Sequence, residues 1–149
     1  MTTTPPILTG RDIALAHYAT RATLGILLTE LGITFEQSIL LNALDDLAVS
    51  RESLVRRLVD GLKIGADEAT GAVDSLIDDG LATSAADAPQ TFGLTSSGAA
   101  IQSQIRDATA RIIANLYGDL PPEDLVVTQR VLATVTERAN RELELVGRS

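Results

Sequence analysis

The 149-residue sequence predicts a mainly α domain, on three observations. Hydrophobic residues make up 45% of the chain but aromatics only 3%, so the core must be built from Leu, Ile, Val and Ala, which favours helices packed on helices. Apolar residues recur at three- and four-residue steps over most of the length. Only two short stretches, 81–83 and 91–94, have the β-branched character of strands. The length suits one domain with a real core.

Residues 1–8, with Pro5 and Pro6, read as a flexible arm, and Thr9 is the candidate N-cap of a long helix. In it Ile13, Ala16, Thr20, Leu24, Leu27 and Leu31 share a face, and Gly32 ends it. A second helix is expected over 35–46, with Ile39, Leu40, Ala43 and Leu44 inward. Ser50 or Ser53 can cap a third, in which Leu54, Leu58 and Leu62 form a stripe. Residues 63–65 make a tight turn into a fourth helix over about 66–79, stopped by Gly80.

The two strands flank a loop, SAADAPQ, in which Pro89 suits a loop better than a central strand. Ile101, Ile105, Ala108, Ile112 and Leu116 mark a helix of roughly twenty residues. After a break at 118–121, Pro122 and Glu123 open a last helix carrying Leu125, Leu132, Val135, Ala139 and Val146. The order is two helices, a helix-turn-helix, a two-stranded β-wing and two long helices. So small a winged centre cannot cover three long amphipathic helices, and the surplus apolar surface predicts a homodimer with interlocked termini.

Several chemistries are disfavoured by composition. The chain has no cysteine, which removes disulfides, thiolate metal sites and thiol redox sensing. One histidine, His17, makes an imidazole metal site improbable. Neither a nucleophile constellation nor a Gly-rich phosphate loop is present, so no catalytic residue, metal or cofactor is expected. A signal peptide and a long apolar run are both missing from the sequence, which reads as cytoplasmic with no membrane partner.

Five segments together resemble the MarR family of winged helix-turn-helix transcriptional regulators, over nearly the whole chain. TFEQSILLNAL is similar to the family's second helix, which often begins Leu-Thr-x-x-Gln. LVRRLVDGLKIG takes the place of its Glu-Leu-Ala-x-x-Leu-Gly-Leu-Ser element. Thr70, Val73, Asp74, Leu76, Gly80 and Leu81 fit the recognition-helix line, Leu94-Thr95-Ser96-Ser97-Gly98 fits Leu-Thr-x-x-Gly after the wing, and PPEDL at Pro121 resembles the start of the last helix. The resemblance implies one MarR-like domain, 1–149, with dimerisation helices at 9–33 and 98–149 and a winged lobe at 34–97. It further implies a homodimer that binds double-stranded operator DNA, and a small-molecule effector of the kind the family often holds in a crevice between its dimer and DNA-binding regions.

Net charge opposes that partner. It is −8, and from Ile64 to Gln104 there is no basic residue while Asp67, Glu68, Asp74, Asp78, Asp79 and Asp87 all fall there. The family's two recognition-line arginines are here Gly71 and Ser75, and the wing's Asp-x-Arg is Asp87-Ala88-Pro89. Affinity for DNA comes chiefly from cations at phosphates, so the candidate anchors are Arg51, Arg56, Arg57 and Lys63 on the helix before the reader. A charged outward face of this kind is more often simply solvated. Thr70, Gly71, Ser75, Gln90 and Thr91 complete the candidate DNA-binding set through hydroxyls, an amide and close backbone approach.

Gly71 is also explained by loss of an arginine no longer needed. Carboxylates at Asp67 and Glu68 favour a helix start, whereas Asp78 and Asp79 stand at the wrong end for that benefit. His17, Tyr18 and Arg21 are the candidate effector-binding residues, with hydrogen bonding across a dimer as the alternative; Tyr117 shares that ambiguity. Arg106 and Arg111 read as dimer or intrahelical ion-pair partners. Two functions stay open: a ligand-responsive operator-binding regulator, or a winged-helix protein that has lost ordinary DNA binding and acts through protein contact or small-ligand binding.

Overall fold

A computed structural model describes residues 7–147. Apart from the exposed Ile7 and Leu8, the arm expected over 1–8 lies outside the described residues. The elements run α1 (Gly10–Leu31), α2 (Phe35–Ala43), β1 (Val49–Ser50), α3 (Arg51–Leu62), α4 (Ala66–Asp78), β2 (Ala82–Ala85), β3 (Ala88–Leu94), α5 (Ser96–Tyr117) and α6 (Pro122–Gly147). They form the mainly α winged helix-turn-helix that the sequence predicts, in two compact units, Met1–Arg111 and Ile112–Ser149.

Local chemistry sets the helix ends. Thr9 caps α1 in a reciprocal box, its N–H donating to the Asp12 carboxylate at 2.8 Å while its hydroxyl accepts from the Asp12 N–H at 3.3 Å. The Thr9 hydroxyl, which also donates to that carboxylate at 2.6 Å, and the Thr9 N–H after it hold the Asp12 carboxyl below its ordinary range. At the other end Gly32 takes φ +71, and Ile33 N–H reaches back to the Leu28 carbonyl at 2.9 Å. Thr34 and Gln37 repeat the box at α2, and the Ser50 hydroxyl caps α3 by accepting from Ser53 N–H at 3.1 Å.

Helix α2 stops at Ala43 rather than at 46. Leu44 leaves helical geometry, Asp46 turns left-handed at φ +60, and the Asp45 carboxylate is drawn to α5. There it accepts from Arg106 at 2.6 Å and from the buried Gln102 amide at 3.3 Å. Arg106 therefore pairs with the turn that follows α2, not with a residue of its own helix. This guanidinium, with Gln102 second, holds the Asp45 carboxyl below its ordinary value.

The sheet has three strands, where two are predicted. Its order is β1-β3-β2, antiparallel throughout, with Val49 opposite Phe92 and Ser50 opposite Thr91. Two residues carry too little pattern to reveal β1 from sequence. The SAADAPQ loop also shrinks, because β2 and β3 extend to a turn at residues 86–87. Pro89 lies in the central strand after all. It is tolerated because β1 pairs only with Thr91 and Phe92, and the β2 register shifts between Ser84 and Ala85, leaving no regular ladder bond for Pro89 to break.

The first unit's core gathers Leu40, Leu41 and Leu44 of α2, Leu54 and Leu58 of α3, Ala69, Val73 and Leu76 of α4, Phe92 of β3 and Ile105 of α5. Removing such side chains from water is the main force fixing α3 and α4 against α2. In the second unit, by contrast, the 26-residue α6 buries no side chain, and Val126, Val127, Val131, Leu132, Val135 and Leu143 remain exposed. Among the described residues no single helix is long and apolar enough to cross a membrane.

Candidate functional site

Helices α3 and α4 with β2 and β3 form the surface on which the candidate DNA-binding residues lie. Burial of Ala69, Val73 and Leu76 turns the opposite face of α4 outward, so Asp67, Glu68, Gly71, Asp74, Asp78 and Asp79 are exposed. A Cβ at Gly71 would meet nothing within 4 Å; no internal packing demands glycine there.

Two of the four candidate anchors are already paired. Arg51 bonds Asp74 of α4, and Arg56 bonds Glu52 one turn back at 2.6 Å. Among the described residues Arg57 and Lys63 have no ion-pair partner; both are exposed, and Lys63 closes α3 in the left-handed conformation at φ +58. Arg51 and Arg56 also line a groove of about 440 Å³ with Val55, Val59 and Gln90 of β3.

The hydroxyl and amide candidates separate. Gln90 is exposed on β3, while Thr91 is half-buried opposite Ser50. Ser75 is half-buried as well, its hydroxyl donating to the Ala72 carbonyl at 2.9 Å and accepting from the Gln37 amide at 3.1 Å. Gln37 donates also to the Asp79 carboxylate at 2.9 Å, which gives the carboxylate at the wrong end of α4 a partner. Sequence reading missed this role, although the Thr34-x-x-Gln37 box marks the residue.

The second assembly lies at the corner between α1 and α2. Tyr18 and Arg21 line a crevice of about 380 Å³ with Ala22, Gly25, Leu28, Thr29, Ile33 and Phe35. The Arg21 guanidinium stands 3.9 Å from the centre of the Phe35 ring, a cation–π contact that holds a positive charge at the crevice wall. His17 does not line it; its ring packs obliquely on Tyr18 at 5.6 Å. Phe35 is the wall residue that periodicity did not single out, because it sits in the first turn of α2 rather than on a stripe. Tyr117 is exposed in the second unit.

No family model matches the sequence, and no curated relative does. Solved structures do match. The transcriptional regulator PA3341 is similar over 89% of this chain and 98% of its own, with a TM-score of 0.72 at 18% identity. The fold is that of the MarR-family regulators. A mutant of MarR from E. coli complexed with operator DNA matches over 85% of this chain and 91% of its own, with a TM-score of 0.65 at 20% identity. CouR from Rhodococcus jostii RHA1, bound to p-coumaroyl-CoA, matches over 85% and 90%, with a TM-score of 0.70 at 13% identity. In this fold α4 is the second helix of the helix-turn-helix, and β2 and β3 are the wing.

Proposed function

We propose that this chain is a MarR-like transcriptional regulator, not a catalyst, that binds operator DNA as a homodimer and responds to a small ligand. The shared fold with an operator-bound MarR carries this reading. In it the terminal segments 9–33 and 98–149 form the dimer and 34–97 the DNA-reading lobe. The exposed apolar face of α6 supports a second copy as its cover. Arg57 and Lys63 supply the standing phosphate contacts. Arg51 and Arg56 join them by exchange, since exposed ion pairs contribute only about 0–1 kcal/mol and a phosphate competes with them. Gly71, Thr70, Gln90 and Thr91 offer the polar and close-approach contacts to the duplex.

The crevice of Tyr18, Arg21 and Phe35 suits a ligand that joins an aromatic ring to a carboxylate, one for stacking and one for the guanidinium. The CouR complex, with its aromatic acyl ligand, supports a small-molecule partner for this fold.

Binding of the purified protein to duplex from its own upstream region, against scrambled duplex across a salt series, tests the DNA reading. Preferential binding is expected, and Arg57→Ala is expected to weaken it and lower the salt slope by about one. A second reading is favoured by one observation: α4 exposes carboxylates without a cation, and two neighbouring arginines are spent on acidic partners. In that reading the shape persists without ordinary DNA affinity, and the protein acts through protein contact or ligand binding. Absence of binding at low salt by folded dimer would establish it over the first.

A further inference from the structure

We infer that Asp67 is a specificity-determining residue of α4 and selects cytosine, through its 4-amino group, in each half of the bound duplex. The inference rests on reading the chain as an operator-binding homodimer. Asp67 is the second residue of α4 and is exposed, in the N-terminal part from which the second helix of such a motif contacts base edges. Thr70 and Gly71 follow it at three and four positions, so the three share one face of the helix. That face is the one the operator-binding reading sets against the duplex.

A short carboxylate reaches a base only where the backbone comes close, and the surroundings of Asp67 allow it. Gly65 and Ala66 precede it, Gly71 lies one turn on, and all three are exposed; a Cβ at Gly65 or Gly71 would meet nothing within 4 Å. On this face no side chain longer than that of Asp67 holds the helix away from a groove. The other carboxylates of α4 differ. Glu68 is turned about 100° from Asp67, Asp74 bonds Arg51, and Asp79 bonds Gln37 beyond the far end of the helix, past Asp78. The Asp67 carboxylate has no hydrogen-bond or ion-pair partner among the described residues.

A carboxylate accepts hydrogen bonds and cannot donate them. In the major groove guanine shows two acceptors, thymine an acceptor and a methyl group, and adenine an acceptor beside its amino group; cytosine alone shows an amino donor with no acceptor beside it. Asp67 therefore meets an unopposed donor only at cytosine. It lowers affinity for duplex in general and lowers it least where that amino group meets it, which is discrimination by penalty. Two copies approach from opposite ends of the site, so the cytosine recurs on the other strand of the mirrored half-site. A carboxylate in the first turn also favours the helix dipole. Glu68 supplies that benefit as well, and a stabilising role alone sets no base preference.

The test is selection from random duplex by the full chain, native and as Asp67→Ala and Asp67→Asn, followed by Kd measurements on the selected duplex and on duplexes changed at the one base pair. The native protein is expected to enrich cytosine at one position of each half-site, and guanine there is expected to raise its Kd about tenfold. Asp67→Ala is expected to lose that preference and keep those at every other position. Asp67→Asn is expected to exchange cytosine for adenine at that position, since an amide pairs with both the amino group and the ring nitrogen of adenine. A native site without such a cytosine, cytosine retained by either variant, or preferences lost at every position together in Asp67→Ala overturns the assignment and leaves operator binding standing. Selection of no sequence by the native protein overturns operator binding and the assignment together.

Discussion

Gly98 illustrates how a single residue holds two elements in place. A Cβ there would lie 2.0 Å from the Leu81 carbonyl oxygen, because the Thr95 N–H binds that oxygen at 3.1 Å and the Thr95 hydroxyl binds the Gly80 carbonyl at 2.6 Å. The Leu-Thr-x-x-Gly pattern is thus a close backbone approach between the start of α5 and the turn that joins α4 to β2. Gly98→Ala is expected to lower stability by at least about 1–3 kcal/mol, the cost of forcing volume into a packed site, read from denaturant midpoints. Gly71 is the opposite case. Its position is open, so Gly71→Ala should raise stability by roughly 1 kcal/mol through helix propensity alone; a loss would show that glycine serves the fold there. Asp45 tests the electrostatics. Its pKa is lowered by Arg106, so its stabilising contribution is present above the ordinary carboxylate pKa and lost as pH falls through the depressed folded value. An NMR titration should find that midpoint low, and Arg106→Gln should bring it back up.

At the scale of elements, α2 connects more than its nine residues suggest. It packs Leu40, Leu41 and Leu44 into the core, presents Phe35 to the crevice, and holds the end of α4 through Gln37. Thr34→Ala removes the cap that organises its first turn, and a stability loss of about 1 kcal/mol is expected. The same variant should also disorder the Phe35–Arg21 contact, seen as a changed amide environment at Arg21. Helix α4 shows the reverse economy: its inner face is fixed by Ala69, Val73 and Leu76, while its outer face keeps one polar character, acid. Arg51 is tied to Asp74 across α3 and α4, so Asp74→Ala frees a cation on the face that these two helices share. Under the regulator reading it should tighten duplex binding and steepen its salt dependence.

At the scale of the whole molecule, the two units differ in how much apolar surface they bury. The first has a closed leucine-rich core, while the second exposes Val126, Val131, Leu132, Val135 and Leu143 along a helix with no buried residue. A long helix derives most of its stability from packing its apolar face, so light scattering should give a mass of twice the 15.7 kDa chain. Charged substitutions at Val131 and Val135 should lower that mass and the helical signal together.

By itself the sequence determined the helix inventory, its caps and its order, because those follow from short-range rules. Thr9, Gly32, Ser50, Gly80 and Pro122 each act on their nearest neighbours, and apolar periodicity states which face turns inward. It also determined the acidic character of α4, since charge is a property of composition. Only the tertiary structure decided which polar groups meet. Arg106 reaches Asp45 across 61 positions, and Gln37 reaches Asp79 across 42; partner choice at such separations has no periodic signature. The early end of α2, the added strand at Val49–Ser50 and the placement of Pro89 in a central strand have the same origin. Each depends on a contact from a distant segment, which overrides local preference because burial and hydrogen-bond satisfaction outweigh the small propensity differences between one residue and the next.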